Sequence, residues 1–235
     1  MKRYFTICCM LLAGALSGQN YTAGDELLVI AQGGLNLREE PNTQARILKQ
    51  LSSGEKVRMV SDPKNGKPAL INGMKGHWVE IESDNTTGFV FDAYLTKLPA
   101  IEKGSDSEGS CIFNTLKEYV VDQLGMVDSL EYCNGIDGEA RHRMTIFSLQ
   151  NDHQYIEHFY WESYASELQL YGIRNSEGIQ LVNHLLQNCG ITPPQWSENA
   201  HNLERTELLP VGEFCCYFTI RRFDNKFIIY ISGGL

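Results

Sequence analysis

Residues 25–99 are a succession of short apolar runs cut by turn residues, and that punctuation restricts the segment to a small β fold. Leu27 to Ala31 is the first run. Gly33 and Gly34 permit a sharp bend before Leu35-Asn36-Leu37, where alternation puts Leu35 and Leu37 on one face. Glu39 to Thr43 is a polar loop around Pro41, and Ile47, Leu48 and Leu51 bring the chain back to a core. Ser52 to Glu55 is a turn, after which Val57 and Met59 alternate. Residues 61–77 contain Pro63, Gly66, Pro68, Gly73 and Gly76 and predict an extended loop. Trp78, Val79 and Ile81 open a hairpin that turns at Asp84 to Gly88 and returns through Phe89-Val90-Phe91. The pattern suits a small all-β barrel.

The order of landmarks is Leu35-Asn36-Leu37-Arg38, Pro41, Leu48, Leu51, Gly54, Val57, Trp78-Val79-Glu80-Ile81 and Gly88-Phe89-Val90-Phe91-Asp92-Ala93-Tyr94-Leu95. It resembles the bacterial SH3-like (SH3b) family. The resemblance implies an SH3-like barrel over residues 25–99. It also implies a docking module of the bacterial envelope, of a kind associated with wall peptides and with positioning hydrolases. The chain departs from the family at Glu40, where Gly usually precedes the loop Pro, at Phe89, where Trp is usual, and in the length of residues 61–77. These positions fall where such barrels present a ligand surface, so no ligand carries over. Trp78, Phe91 and Tyr94 are the candidate groove residues; the same aromatics would also serve as core filling.

The N-terminus has the layout of a secretory signal peptide over residues 1–18: Lys2 and Arg3, the apolar run Tyr4 to Leu12, then small residues from Ala13 to Gly18. Position 15 is Ala rather than Cys, so cleavage between Ala15 and Gln19 and a soluble exported product, periplasmic or secreted, are expected. No later run is long and apolar enough to cross a membrane, so no stable insertion is expected after cleavage.

Glu102 to Ser110 is short, polar and rich in Gly and Ser, and residues 100–110 are the expected linker. Residues 111–235 then predict an α+β domain without a family resemblance. Ile112, Leu116, Val120 and Leu124 define a helix that Ser110 can cap and Gly125 can end. Met144 to Leu149, Tyr155 to Trp161 and Ala165 to Ile173 are expected strands. A second helix runs from about Ser176 to Asn188, residues 195–212 are polar and irregular, and Phe214 to Phe223 with Lys226 to Ser232 form a terminal hairpin. The fold class is thus two domains: an SH3-like barrel, then an antiparallel sheet with two helices on one face.

Removing Lys2 and Arg3 from the 20 basic residues leaves 18 against 29 acidic, a net of −11. Residues 105–235 carry 8 basic and 18 acidic residues and hold nearly all of it. That field repels phosphate backbones and anionic lipid, so no nucleic-acid partner is expected. Five cysteines follow the signal: Cys111, Cys133, Cys189, Cys215 and Cys216. An odd number leaves at least one free or paired between chains. Cys189 and one of Cys215 and Cys216 are expected to be buried thiols.

The search for chemistry returns no catalytic residue, no metal site and no cofactor. Cys111 near a helix start, with His142, His153 or His158 on strands, is the only outline of a papain-like peptidase, and the flanking Gly109, Ser110 and Ile112 do not match that family. His153, Glu157 and His158 do not share one strand face. Glu157, Glu162 and Glu167 are the candidates for a carboxylate pair. Tyr155, Phe159, Tyr160, Trp161, Tyr164 and Tyr171 are dense in aromatics, and Tyr160 and Trp161 join the candidate ligand residues. The expected function is an exported envelope protein whose SH3b domain docks to a cell-wall peptide or glycan, or to an envelope protein, without catalysis. The alternative is a cell-wall hydrolase with an unfamiliar C-terminal domain.

Overall fold

A computed structural model describes residues 21–99, 111–136, 139–161, 163–194, 204–211 and 214–234; the expected signal peptide and linker lie outside them. The first sheet comprises β1 (Glu26–Val29), β2 (Leu35–Arg38), β3 (Ile47–Leu51), β4 (Lys56–Met59), β5 (Lys67–Ile71), β6 (Met74–Ser83), β7 (Thr86–Phe91) and β8 (Leu95–Thr96). Their pairings form the path β3-β2-β7-β6-β4-β1-β8, with β5 added on β6. Period-2 alternation places Leu27 and Val29, Leu35 and Leu37, Val57 and Met59, and Val79 and Ile81 in one core.

Residues 61–77 are not an extended loop. Pro63–Asn65 is a 3₁₀ turn capped by the Asp62 carboxylate, which accepts from the Lys64 amide at 2.9 Å. β5 then pairs with β6 through the two-residue turn Asn72-Gly73, with φ of 51° and 77°. Asn-Gly between apolar residues is a strong hairpin signal, because both positions need φ above zero. Pro68 is compatible with this strand because β5 pairs on one side only.

The second sheet is antiparallel, in the order β13-β14-β15-β12-β11-β10-β9. Its strands are β9 (Met126–Ile136), β10 (Glu139–Leu149), β11 (Gln154–Tyr160), β12 (Ser163–Tyr171), β13 (Glu204–Val211), β14 (Phe214–Phe223) and β15 (Lys226–Gly234). Residues 204–211, expected to be irregular, are therefore a strand paired to β14. The helices are α1 (Cys111–Glu118), which continues as a π turn over Tyr119–Gln123, and α2 (Asn175–Asn188). Both cover one sheet face. Ile112 and Leu116 of α1, Val120 of the π turn, and Ile179, Val182 and Leu186 of α2 share a core with Leu168, Phe218, Phe227 and Ile229. At Gly178 the helix backbone approaches the sheet so closely that a Cβ would lie 2.5 Å from the Phe227 ring. No described helix is long and apolar enough to cross a membrane.

Cys189 is not a free thiol. It forms a disulfide with Cys111, Cα to Cα 5.7 Å, joining the start of α1 to the end of α2. The pairing is invisible to local pattern because 78 residues separate the partners and only packing of the helix ends brings them together. Cys133 is free and exposed, while Cys215 and Cys216 occupy β14.

The two sheets are tied by Arg174, the residue before α2. Its Nη1 donates to Asp92 Oδ2 at 2.6 Å, and its Nη2 donates to the Asp92 and Leu95 carbonyls at 2.7 and 3.0 Å. Asp92 is 1% exposed, and its other oxygen accepts from the His77 amide at 2.6 Å. Gly76 makes room for this carboxylate: a Cβ there would lie 2.5 Å from Asp92 Oδ1. Buried Glu177 completes the tie, accepting from Arg174 N at 3.0 Å and from Thr96 Oγ1 at 2.8 Å.

Two stability predictions follow from these links. Asp92→Ala strands a buried guanidinium and is expected to cost about 3–5 kcal/mol in urea unfolding. Reducing Cys111–Cys189, or replacing both with Ser, is expected to cost about 2–4 kcal/mol, read as a lowered denaturation midpoint in the same assay.

Candidate functional site

A cleft of about 440 Å³ opens between the first sheet and α2. The β1–β2 turn at Gly33-Gly34 forms one rim, and Asn36 and Arg38 of β2 continue it. Trp78 from β6, Phe91 from β7 and Tyr94, in the 3₁₀ turn that follows, supply the aromatic lining. Gln180, Asn183 and Gln187 of α2 form the opposite wall.

The aromatics serve as core and as lining at once. Trp78 and Phe91 are buried, with ring centroids 6.2 Å apart, and Phe91 meets Tyr94 edge-on at 6.0 Å. Such packing holds the rings in place, so the lining is rigid before any ligand arrives. The Tyr94 hydroxyl accepts from Asn72 Nδ2 at 3.1 Å, which ties the β5–β6 turn to the rim. Gln180 Nε2 donates to Met74 Sδ at 3.0 Å, and Arg38 Nη1 donates to the Ala45 carbonyl at 2.7 Å. Of the lining side chains only Arg38 is charged; the other polar ones are amides and hydroxyls. The cleft therefore presents aromatic faces beside amide donors and acceptors, with no carboxylate or thiol among its lining residues.

The amides of α2 are absent from the sequence expectation. Residues 180, 183 and 187 recur at helical spacing, and Asn183 and Gln187 fall outside the buried stripe, so sequence alone makes them an ordinary solvated face. Only the juxtaposition of α2 with the first sheet gives them a role.

Tyr160 and Trp161 do not join this cleft. Tyr160 ends β11 in the second sheet and Trp161 is in the turn that follows, 69% exposed. Tyr160 stacks on His142 at 4.5 Å between centroids, and His142 Nε2 lies 3.3 Å from His158 Nδ1. The structure therefore divides the five predicted ligand residues between two sheets.

The remaining candidates for chemistry disperse. Cys111 is in a disulfide and offers no thiolate nucleophile. His153 is buried, its Nδ1 accepting from the Tyr171 amide at 3.1 Å. Glu157 pairs with Lys117 of α1 at 2.8 Å and accepts from the Tyr164 hydroxyl at 3.1 Å. Glu167 sits opposite Ile156, one position from Glu157, and so lies on the other face of the sheet; Glu162 is outside the described residues. The described residues hold no cluster of three or more metal-ligating side chains.

Asn36, Trp78, Phe91 and Tyr94 all fall within residues 33–96, which match the family model of the bacterial SH3 domain. The N-terminal sheet thus carries a bacterial SH3 domain, a class of cell-wall or protein binding module. No curated protein matches the chain, and no solved structure does.

Behind the cleft wall His184 is buried, hydrogen-bonded to the Ile30 backbone, with no partner for its Nε2. Burial holds His184 and His153 below the ordinary imidazole value of 6.5. The unfolded chain takes up these protons near pH 6.5 and the folded chain only at lower pH. Stability is therefore unaffected by these groups above that value and falls as pH drops below it. Urea unfolding at pH 7.5 and 5.5 is expected to show this loss, and His184→Gln is expected to shrink it.

Proposed function

We propose that this is an exported cell-envelope binding protein that performs no catalysis, with residues 1–18 as a cleavable signal, 25–99 as the docking domain, 100–110 as a linker and 111–235 as a second domain that completes the binding surface. The observation that carries the reading is the rigid aromatic and amide cleft, which lies partly within the segment matched to bacterial SH3 domains. The ligand class it suits is a cell-wall peptide or glycan, or a peptide segment of an envelope protein. Aromatic faces take apolar or sugar surfaces, and the amides supply both donors and acceptors. The acidic balance of the second half, 18 acidic against 8 basic residues, supports a neutral or cationic ligand over nucleic acid.

The test is co-sedimentation of residues 19–235 with purified peptidoglycan, scored for binding and for release of soluble fragments. Binding without release is the expected result. Asn36→Ala and Gln187→Ala, both at the rim, are each expected to weaken binding about fivefold, the loss of one hydrogen bond of about 1 kcal/mol. Release of fragments would overturn the non-catalytic reading. Absence of binding would remove wall polymer as the ligand and leave an envelope protein.

A further inference from the structure

A second cleft, about 690 Å³, opens elsewhere between the two domains and shares no lining residue with the aromatic one. Its chemistry is different. Lys75 and His77 of β6 line it on one side, and Arg174 and Arg222 on the other, while no carboxylate side chain lines it at all. Residues 105–235 contain only 8 basic side chains, and two of them converge here. Three of the chain's 20 Lys and Arg side chains, with His77, thus line one concave space without a carboxylate.

These cations are not equivalent. Arg174 is neutralised by Asp92 and Glu177. His77 Nδ1 lies 3.8 Å from Asp92 Oδ2, a carboxylate that Arg174 already engages. Arg222 is half-buried on the helix-facing side of β14, where it opposes Phe227. Its Nε donates to the Asp224 carbonyl at 2.8 Å and its Nη1 to the Ile173 carbonyl at 2.6 Å. Those two bonds fix the plane of the guanidinium through neutral acceptors; the Glu177 carboxylate acts on it only through space, and no ion pair to a described carboxylate involves it. A guanidinium withdrawn from water and held by neutral acceptors has surplus capacity for an anion, with a planar fork of donors that matches an oxyanion. Asn175 and Ser176, the first residues of α2, also line the cleft and add the positive end of the helix to the same field.

We propose that this cleft binds the oxyanion group of a ligand, a carboxylate or a phosphate, with Arg222 as the orienting fork. The space exceeds that of a single ion and suits an acid-ended peptide or a small phosphorylated molecule.

The test is calorimetric titration of residues 19–235 with three probes: N-acetyl-alanyl-alanine, the same peptide as its C-terminal amide, and inorganic phosphate. Binding of the acid without the amide, or of phosphate, is expected, weakening as salt rises. The first result identifies a carboxylate source and the second a phosphate source. Arg222→Met, which keeps the apolar stem, is expected to reduce the binding at least tenfold. Arg222 also bonds the Ile173 carbonyl, so Arg222→Lys, which keeps a charge and a donor for that carbonyl but loses the planar fork, serves as a second variant, expected to weaken binding severalfold with the thermal midpoint read alongside. Equal binding of acid and amide with no phosphate binding, no binding of any probe at millimolar concentration, or unchanged affinity in both variants would overturn the proposal.

Discussion

One guanidinium decides how the two halves of this protein meet. Arg174 leaves the second sheet at the end of β12, enters the first domain, and spends its donors on Asp92, the Leu95 carbonyl and Glu177. The Coulomb gain of a buried pair is largely consumed by desolvation, so the tie contributes more to geometry than to net stability. Its donors have fixed directions, and the acceptors lie on a 3₁₀ turn, on β8 and on the first turn of α2. The pair therefore sets the start of α2 against the SH3 domain. Everything that follows along α2, including the amide wall at residues 180 to 187, inherits that placement.

The same tie explains why the aromatic cleft is a composite. A first domain with Trp78, Phe91 and Tyr94 alone presents a rim and a floor. The second domain supplies the facing wall through residues that belong to neither its core nor its sheet. The charged cleft is composite in the same way, with β6 on one side and the ends of β12 and β14 on the other. Two clefts of different chemistry, one aromatic and amide-lined and one cationic, are thus built across one junction.

Much of the fold was legible in the sequence. Alternation located β1, β2, β4, β6 and β7, and the four-residue recurrence from Ile112 located α1, because both signals are local and burial enforces them. Residues 61–77 have the look of a loop in sequence because five Gly and Pro residues mask a hairpin whose marker is the Asn72-Gly73 pair. Strand β13 was missed because residues 204–211 lack strong alternation and owe their conformation to pairing with β14. The site was half legible: the aromatics were singled out, while the α2 amides and the Cys111–Cys189 bond depend on contacts between distant segments that no local window contains. Tyr160 and Trp161 share only residue type with the cleft aromatics, since they lie at the end of β11 in the other sheet and in the turn after it.

The disulfide also divides the strands of the second sheet into two groups. The covalent ring from Cys111 to Cys189 encloses α1, β9 to β12 and α2, and leaves β13, β14 and β15 outside it. Yet β15 is the strand that covers the second edge of β12. Without residues 214–234 the ring would enclose a four-stranded sheet whose β12 edge stands unpaired, and an unpaired edge is a template for pairing with another chain. The last twenty or so residues are thus the seal on a surface that the rest of the domain leaves open.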